Sequence, residues 1–171
     1  MLYGDRDAVS QIERAKGDTN MRKSKLPQRF WLIIAVAMIL VSMIGSNLMQ
    51  SDGGKVKIHK VNLVVADGAE LYAQMYIPEQ ASAEHKLPLV IVQHGSQHNL
   101  QMQDMNMVEL ARRGFIVISG DAFGHGSSTP RGYIDPSMNF ANMRYLLEYA
   151  CNNLDCIDMD KIGICGHSMG A

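Results

Sequence analysis

The residues best suited to chemistry stand near the end of the printed sequence, where an apolar run leads into Gly166-His167-Ser168-Met169-Gly170. A Gly-x-Ser-x-Gly pattern after a predicted strand indicates a strand that turns sharply into a helix, with Ser168 at the apex. Gly166 and Gly170 are expected where strand and helix approach each other, because a Cβ would clash there. Such a turn exposes the Ser168 hydroxyl and directs the Met169 N–H towards the site of a developing oxyanion. By itself, the motif is also compatible with a glycine-rich turn that carries a solvated serine.

Composition places the motif in a globular protein. The chain has 171 residues, of which 47% are hydrophobic and 19% are charged, and these values are typical of a folded domain with an appendage. The formal net charge of -1 gives no reason to expect nucleic acid as a partner. We attribute the 13 methionines to core filling.

No pattern indicates a metal or a cofactor. His94 and His98 are four residues apart, but they lie in a predicted loop with no intervening glutamate, so a zinc-hydrolase helix is unsupported. The glycines after residue 123 lack the third glycine of a dinucleotide loop, and nothing matches a Walker lysine motif. We therefore expect neither a metal site nor a cofactor.

The three cysteines carry two separate expectations. Cys165 lies in the apolar run before the serine motif, so we expect a buried small hydrophobic residue. Cys151 and Cys156 flank a loop-like stretch. They could form a local disulfide in an oxidising compartment or remain two thiols, and the sequence does not choose between these states.

The amino-terminal part predicts a membrane anchor. Residues 1–29 form a polar tail of mixed charge whose end is basic. Residues 30–49 carry no charge over 20 positions, and a helix of that length rises about 30 Å, the thickness of a bilayer core. Because basic residues precede the helix, we expect a single-pass protein with a cytoplasmic tail and an extracytoplasmic folded domain. The lipid bilayer is then a partner through residues 30–49.

A cleaved signal peptide is the main alternative, since it shares the order of basic, apolar and small residues. The apolar core and the preceding tail are long, and Ile44-Gly45-Ser46 is a poor cleavage site, so we favour an uncleaved signal-anchor. Residues 50–54 are predicted to be a flexible linker, and residues 55–171 the folded domain.

Hydrophobic periodicity in the folded domain predicts a hairpin followed by strand, helix, strand, helix and strand. Two registers of alternation around His59 predict a first strand with a bulge there, and Asp67-Gly68 predicts the hairpin turn. Continuous apolar runs at 87–93 and 115–119 predict strands buried on both faces. This order predicts a mostly parallel sheet with helices on both faces.

Two helices are predicted between these strands. The first runs from residue 102 to 113, ends at Gly114, and has an apolar stripe for the core: Met102, Met105, Val108 and Ala111. The second runs from residue 135 to about 151, with another apolar stripe: Phe140, Met143, Leu147 and Ala150.

Three stretches, taken together in order and spacing, resemble the amino-terminal half of an α/β-hydrolase-fold serine hydrolase. They are residues 92–96 after the third strand, 120–127 after the fourth, and 166–170. The resemblance covers residues 55–171. It implies an incomplete α/β-hydrolase fold, with a mostly parallel sheet and helices on both faces, preceded by one transmembrane helix.

The resemblance implies a role for each matching residue. Ser168 would be the nucleophile that attacks a small-molecule acyl substrate, an ester or, as an alternative, a peptide. The N–H of Met169 would be one oxyanion donor, and the N–H of Ser96 the second, with Gln97 as the less favoured candidate. Residues 121–127 would be a structural turn at the floor of the active site.

In this family the acid and the histidine of the triad follow the nucleophile along the chain, whereas all six histidines here precede Ser168. We therefore expect residues 1–171 to be a fragment of a membrane-anchored serine hydrolase, with negligible turnover by itself and with the strand before Ser168 at the edge of the sheet. The alternative hypothesis is a non-catalytic, membrane-tethered remnant or interaction protein.

Overall fold

The structure is a computed structural model that describes residues 27–65, 68–129 and 136–171. Residues 1–26 of the predicted tail, Asp67 of the predicted turn and Asp135 at the predicted helix start lie outside these ranges. By its contacts the chain divides into two units, Met1–Val41 and Ser42–Ala171. The described part of the first unit holds the beginning of one helix, and the second unit holds the rest of that helix and an α/β domain.

The amino-terminal helix, α1, spans Gln28–Gln50. None of its most apolar 18-residue window is buried, and the mean hydropathy there is 2.3. Within the described residues, α1 is the one helix long and apolar enough to cross a membrane, a test that signal sequences and core helices also pass. The 23-residue helix contains the predicted span of residues 30–49.

An ordered turn follows α1 where the sequence suggests a flexible linker. Asp52–Gly54 forms a single 3-10 turn, and the N–H of Gly54 donates to the Ser51 hydroxyl at 3.1 Å. The guanidinium of Arg112 pairs with the Asp52 carboxylate at 2.8 Å. These contacts hold the turn against the α/β domain.

The domain is built on a five-stranded sheet with the order β1-β2-β4-β3-β5. The antiparallel strands β1 and β2 form the predicted hairpin, and β2 also pairs antiparallel with β4. Strand β3 lies parallel to both β4 and β5, so the predicted parallel pairing is confirmed, and β5 lies at the edge. The strands span the following ranges: Val56–Val64, Glu70–Pro78, Leu87–Gln93, Ile116–Gly120 and Ile157–Gly166.

Two helices cover opposite faces of this sheet, namely α2 (Asp104–Arg112) and α3 (Pro136–Asn153). The apolar residues of β4 pack on both faces of the sheet. Val117 packs in the cluster that includes Met107 of α2, whereas Ile118 packs in the cluster that includes Leu146 of α3. A strand buried on both faces needs no polar alternation. The predicted α/β class with helices on both faces is therefore confirmed, although the sheet is mixed, with two parallel and two antiparallel strand pairings.

Strand β1 has no bulge. Its pairing with β2 is continuous over all nine residues. Val56 and Ile58 pack on the α2 side of the sheet, whereas Val61 and Leu63 pack on the α3 side. The two registers of alternation arise because the two ends of this edge strand bury opposite faces, so the predicted bulge near His59 is wrong.

Helix α2 begins two residues later than the predicted start at Met102, because a short 3-10 turn precedes it. The change of helical pitch rotates the buried stripe. Met107, Val108 and Ala111 are buried, whereas Met102 and Met105 are 62% and 85% exposed. The prediction that Met102 and Met105 face the core is therefore wrong.

Helix α3 buries the predicted side, but the buried stripe also includes a residue that was not predicted. Ala150 is fully buried, and Met143 and Leu147 pack partly buried against the same cluster. Leu146, which the predicted stripe omitted, is also fully buried. The side chain of Phe140 lies outside the described part of the chain.

All three cysteines are free thiols, so Cys151 and Cys156 are not joined. Burial raises the pKa of both of these thiols. Cys165 is exposed rather than buried, because β5 lies at the edge of the sheet and almost all of its side chains after Ile157 are exposed. The expectation of a buried Cys165 is wrong.

Candidate active site

Ser168 lies at a sharp bend directly after β5. His167 is extended, with φ of -119° and ψ of 135°, and Ser168–Gly170 forms one 3-10 turn. Ser168 itself has a φ of 53°, in the left-handed region, which costs a residue with a Cβ roughly 1–3 kcal/mol. The residue is exposed. The chain therefore passes from strand to helical conformation through one strained, exposed serine.

Close backbone contacts surround this bend at both of its glycines. A Cβ on Gly166 would overlap the carbonyl oxygen of Gly170, and a Cβ on Gly170 would lie 2.5 Å from the carbonyl oxygen of Gln93. Both contacts are with main-chain atoms, which cannot move aside as a flexible side chain can. Neither position accepts a side chain unless the bend itself shifts.

The loop after β3 runs beside Ser168. A Cβ on Gly95 would lie 3.2 Å from the Cβ of Ser168 and 3.0 Å from Nδ1 of His167. The His167 N–H donates to the carbonyl of Gln93 at 3.2 Å. The end of β3 and the bend after β5 are therefore in direct contact, and Ser96 is the next residue along this loop.

The two N–H groups expected to bind an oxyanion are available. Within the described residues, neither Met169 nor Ser96 donates its N–H to a backbone carbonyl. The turn after β5 is closed instead by the N–H of Gly170, which donates to His167 at 2.9 Å, and by the next N–H along the chain. An anion beside Ser168 would give such unpaired donors an acceptor.

A buried carboxylate connects the loop after β3 to the loop after β4. Asp121 is 0% exposed. Its Oδ1 accepts the N–H of Leu100 at 2.8 Å, and its Oδ2 accepts the N–H of Ser127 at 2.7 Å. Gly126, with φ of 50°, lies so close that a Cβ there would overlap the carboxylate. The sequence pattern predicts a structural turn at residues 121–127, and nothing in the pattern indicates the connection to Leu100.

His94 makes a second connection between the same two loops. Its ring is 0% exposed, its Nε2 accepts the N–H of Ala122 at 2.9 Å, and its Nδ1 lies 2.8 Å from the carbonyl of Gly95. The tautomer with a proton on Nδ1 satisfies both contacts. Burial lowers the pKa of His94, and the nearby His125 lowers it further, so the ring is neutral at pH 7.

The remaining histidines near the bend form pairs rather than a ligand set. The rings of His98 and His167 are stacked, with centroids 5.7 Å apart, and the ring of His125 lies 5.2 Å from that of His94. In the part of the chain that the structure describes, no three His, Cys, Asp or Glu side chains gather in a way that could hold a metal ion.

Comparison with known proteins agrees with the fold. The sequence profile of a family described as having the alpha/beta hydrolase fold matches residues 88–171. No curated protein sequence matches the chain significantly.

Solved structures resemble the chain over about two thirds of its length. A hypothetical protein from Pseudomonas aeruginosa has a TM-score of 0.57 and 20% identity, covering 64% of this chain and 35% of its own. Est1E from Butyrivibrio proteoclasticus, solved with ferulic acid bound, has a TM-score of 0.55 and 26% identity, with coverages of 64% and 43%. An esterase from Pyrococcus furiosus has a TM-score of 0.55 and 17% identity, with coverages of 70% and 45%. The chain thus spans less than half the length of these three proteins.

Proposed function

We propose that this chain, which has the α/β-hydrolase fold, carries the nucleophile and the oxyanion hole of a serine hydrolase that cleaves esters or related acyl compounds. The observation that carries the proposal is the strained Ser168, with φ of 53° at the end of β5. A strained strand-to-helix turn with an exposed serine is the arrangement by which this fold presents a nucleophile. The esterases among the structural neighbours support an ester as the substrate class.

In the proposed reaction, Ser168 Oγ attacks the acyl carbonyl carbon while a histidine base takes the hydroxyl proton. The carbonyl oxygen becomes an oxyanion and accepts the N–H groups of Met169 and Ser96. Its collapse expels the alcohol, which receives the proton, and leaves an acyl-enzyme that water hydrolyses in the same manner. Removing one such donor typically costs about 3–4 kcal/mol of transition-state stabilisation.

We infer that the base and the carboxylate that orients it lie in a part of the parent protein outside residues 1–171. Two observations support this inference. All six histidines precede Ser168, whereas the base follows the nucleophile along the chain in this fold. In addition, the chain spans 35–45% of the length of the three structural neighbours described above.

We also propose that α1 is an uncleaved signal-anchor, with the tail in the cytoplasm and the hydrolase domain outside it. Its length and mean hydropathy of 2.3 and the basic residues that end the tail support this orientation. Alkaline carbonate extraction tests the anchor, since an anchored protein stays in the membrane pellet and a peripheral one is released. Protease treatment of sealed vesicles tests the orientation.

Labelling by a fluorophosphonate probe tests the nucleophile in the parent protein. We expect the probe to label the wild type and the Ser127→Ala variant, whose exposed hydroxyl is replaced while its N–H is kept. The Ser168→Ala variant should lose the label and lose esterase turnover by roughly 10⁴-fold or more. Equal labelling of the wild type and Ser168→Ala would show that another residue is the nucleophile.

A further inference from the structure

One buried acid, Asp121, has no part in the proposed bond-making steps and no cation to neutralise it. It is 0% exposed, and none of the ion pairs among the described residues involves it. Burial of a carboxylate is unfavourable unless hydrogen bonds satisfy its oxygens. Here those bonds come from backbone N–H groups of two different loops, so the carboxylate fixes the course of the main chain.

The two connections bracket the loop that carries Ser96. At its start, the ring of His94 accepts the N–H of Ala122. At its end, the N–H of Leu100 donates to Asp121. Two consecutive residues after β4 therefore hold residues 94 and 100, and the segment between them is the one that passes beside Ser168.

We propose that Asp121 is a positioning residue for the hydrolysis, which holds loop 94–100 where the N–H of Ser96 completes the oxyanion hole. The inference rests on the proposed function, because it assigns Asp121 an effect on that reaction. The stabilisation of an oxyanion depends on donors fixed in advance, and a misplacement of about 1 Å can cost roughly 100-fold in rate. A carboxylate that anchors one end of the loop controls that placement.

The geometry distinguishes a carboxylate from its amide at this position. Both oxygens of Asp121 accept an N–H, at 2.8 Å from Leu100 and 2.7 Å from Ser127. Asparagine has the same shape but only one acceptor oxygen, so its NH₂ group would oppose one of the two donors. The Asp121→Asn variant therefore releases one connection while it keeps the packing volume.

The test compares Asp121→Asn with Asp104→Asn in the full parent protein. Asp104 is a suitable control because it is a partly buried acid on α2 whose carboxylate accepts the Tyr76 hydroxyl at 3.3 Å, rather than a backbone N–H of these loops. With p-nitrophenyl acetate as substrate and active sites counted by a fluorophosphonate, we expect kcat of Asp121→Asn to fall by about 10- to 100-fold with KM changed less than about 2-fold. Asp104→Asn should change both constants by less than about 2-fold.

A second variant covers the case in which Asp121→Asn does not fold. His94→Asn keeps a donor near the Gly95 carbonyl and removes the acceptor for Ala122, so it releases the other end of the loop. It should give the same loss of kcat with little change in KM. An unchanged kcat per active site in the folded variants, accompanied only by a lower melting temperature, would overturn the proposal.

Amide hydrogen exchange separates this inference from the proposed function. If Asp121 holds the loop, Asp121→Asn should exchange faster at the N–H of Leu100 or of Ser127, whichever loses its acceptor, with no change around Tyr76. Unchanged exchange at both of these N–H groups overturns the positioning role even in an active enzyme. By contrast, full esterase activity in Ser168→Ala rejects the proposed function, whereas faster exchange in Asp121→Asn would still support the anchoring of the loop.

Discussion

Two buried polar clusters lie on the same sheet and use their hydrogen bonds differently. At the strand ends, Asp121 and His94 accept backbone N–H groups at 2.7–2.9 Å, and two of these three bonds join different loops. Between β2 and α2, Tyr76, Gln74 and Asp104 belong to a cluster whose side chains bond one another at 3.0–3.5 Å. A bond to the backbone fixes where a loop runs, whereas a bond between side chains satisfies buried groups without fixing the main chain. The candidate active site lies beside the first cluster.

The largest effect on the free energy of unfolding is expected at the bend after β5, where main-chain atoms are closely packed. Gly170→Ala places a Cβ 2.5 Å from the Gln93 carbonyl oxygen, so the main chain must shift, and we expect a loss of about 2–4 kcal/mol in the free energy of unfolding. Gly163→Ala, in β5 before the bend, is the control, because its Cβ would meet Val90 at 3.9 Å. It should change the free energy of unfolding by less than about 1 kcal/mol. Urea unfolding of both variants measures the difference, and equal losses would mean that the bend is not tightly packed.

An intermediate effect on the free energy of unfolding is expected when the buried Asp121 and the partly buried Asp104 are each replaced by asparagine. Asp121→Asn should lower the free energy of unfolding by about 1–3 kcal/mol, because one buried backbone N–H loses its acceptor.

Burial raises the pKa of Asp104, so its charged form is disfavoured in the folded protein. Stability therefore falls as pH rises from the unfolded pKa of Asp104 through its folded pKa. At pH 7, Asp104→Asn should be neutral or stabilising. Urea unfolding at pH 7 checks both variants, and an equally destabilised Asp104→Asn would remove the distinction between the clusters.

The smallest expected effect is the contribution of His94 to the pH dependence of the free energy of unfolding. Burial lowers the pKa of His94, the hydrogen bond to the Gly95 carbonyl and the charge of Asp121 oppose this lowering, and His125 and His98 add to it. Above the unfolded pKa of about 6.5, His94 is neutral in both states and contributes no pH dependence. Below it, only the unfolded state binds the proton, so the free energy of unfolding falls until the folded pKa is reached. Unfolding measured between pH 7.5 and 5.5 should show this fall, with a shallower slope in His94→Asn.

The sequence was most informative where one local pattern decides the structure. Gly166, Gly170 and the apolar run before them predict a tight bend after a strand, and a bend of that kind is present. The continuous apolar runs of β3 and β4 predict parallel strands, because such runs tolerate burial on both faces. In these segments, short-range sterics and burial set the conformation.

Predictions from the sequence were wrong or absent where contacts between distant segments determine the structure. The prediction that Met102 and Met105 face the core is wrong because a 3-10 turn changes the helical pitch ahead of α2. The exposure of Cys165 depends on what covers β5, and no local pattern states that. The bond from Leu100 to Asp121 joins residues 21 positions apart, and the polar stretch around Asp121 could only be interpreted as a turn. The membrane anchor and the roles of Ser168, Met169 and Ser96 stay predictions.

The loop after β3 is tied at residues 94 and 100 to adjacent positions 121 and 122, and this sets a rule for how related sequences can diverge. Because both ends of this loop are fixed, an inserted or deleted residue would either displace the main chain beside Ser168 or break one tie. Insertions and deletions among relatives should therefore avoid residues 94–100 and collect in segments such as the polar stretch 79–86 between β2 and β3. An aligned set of homologues would show this as a segment of constant length beside one of variable length.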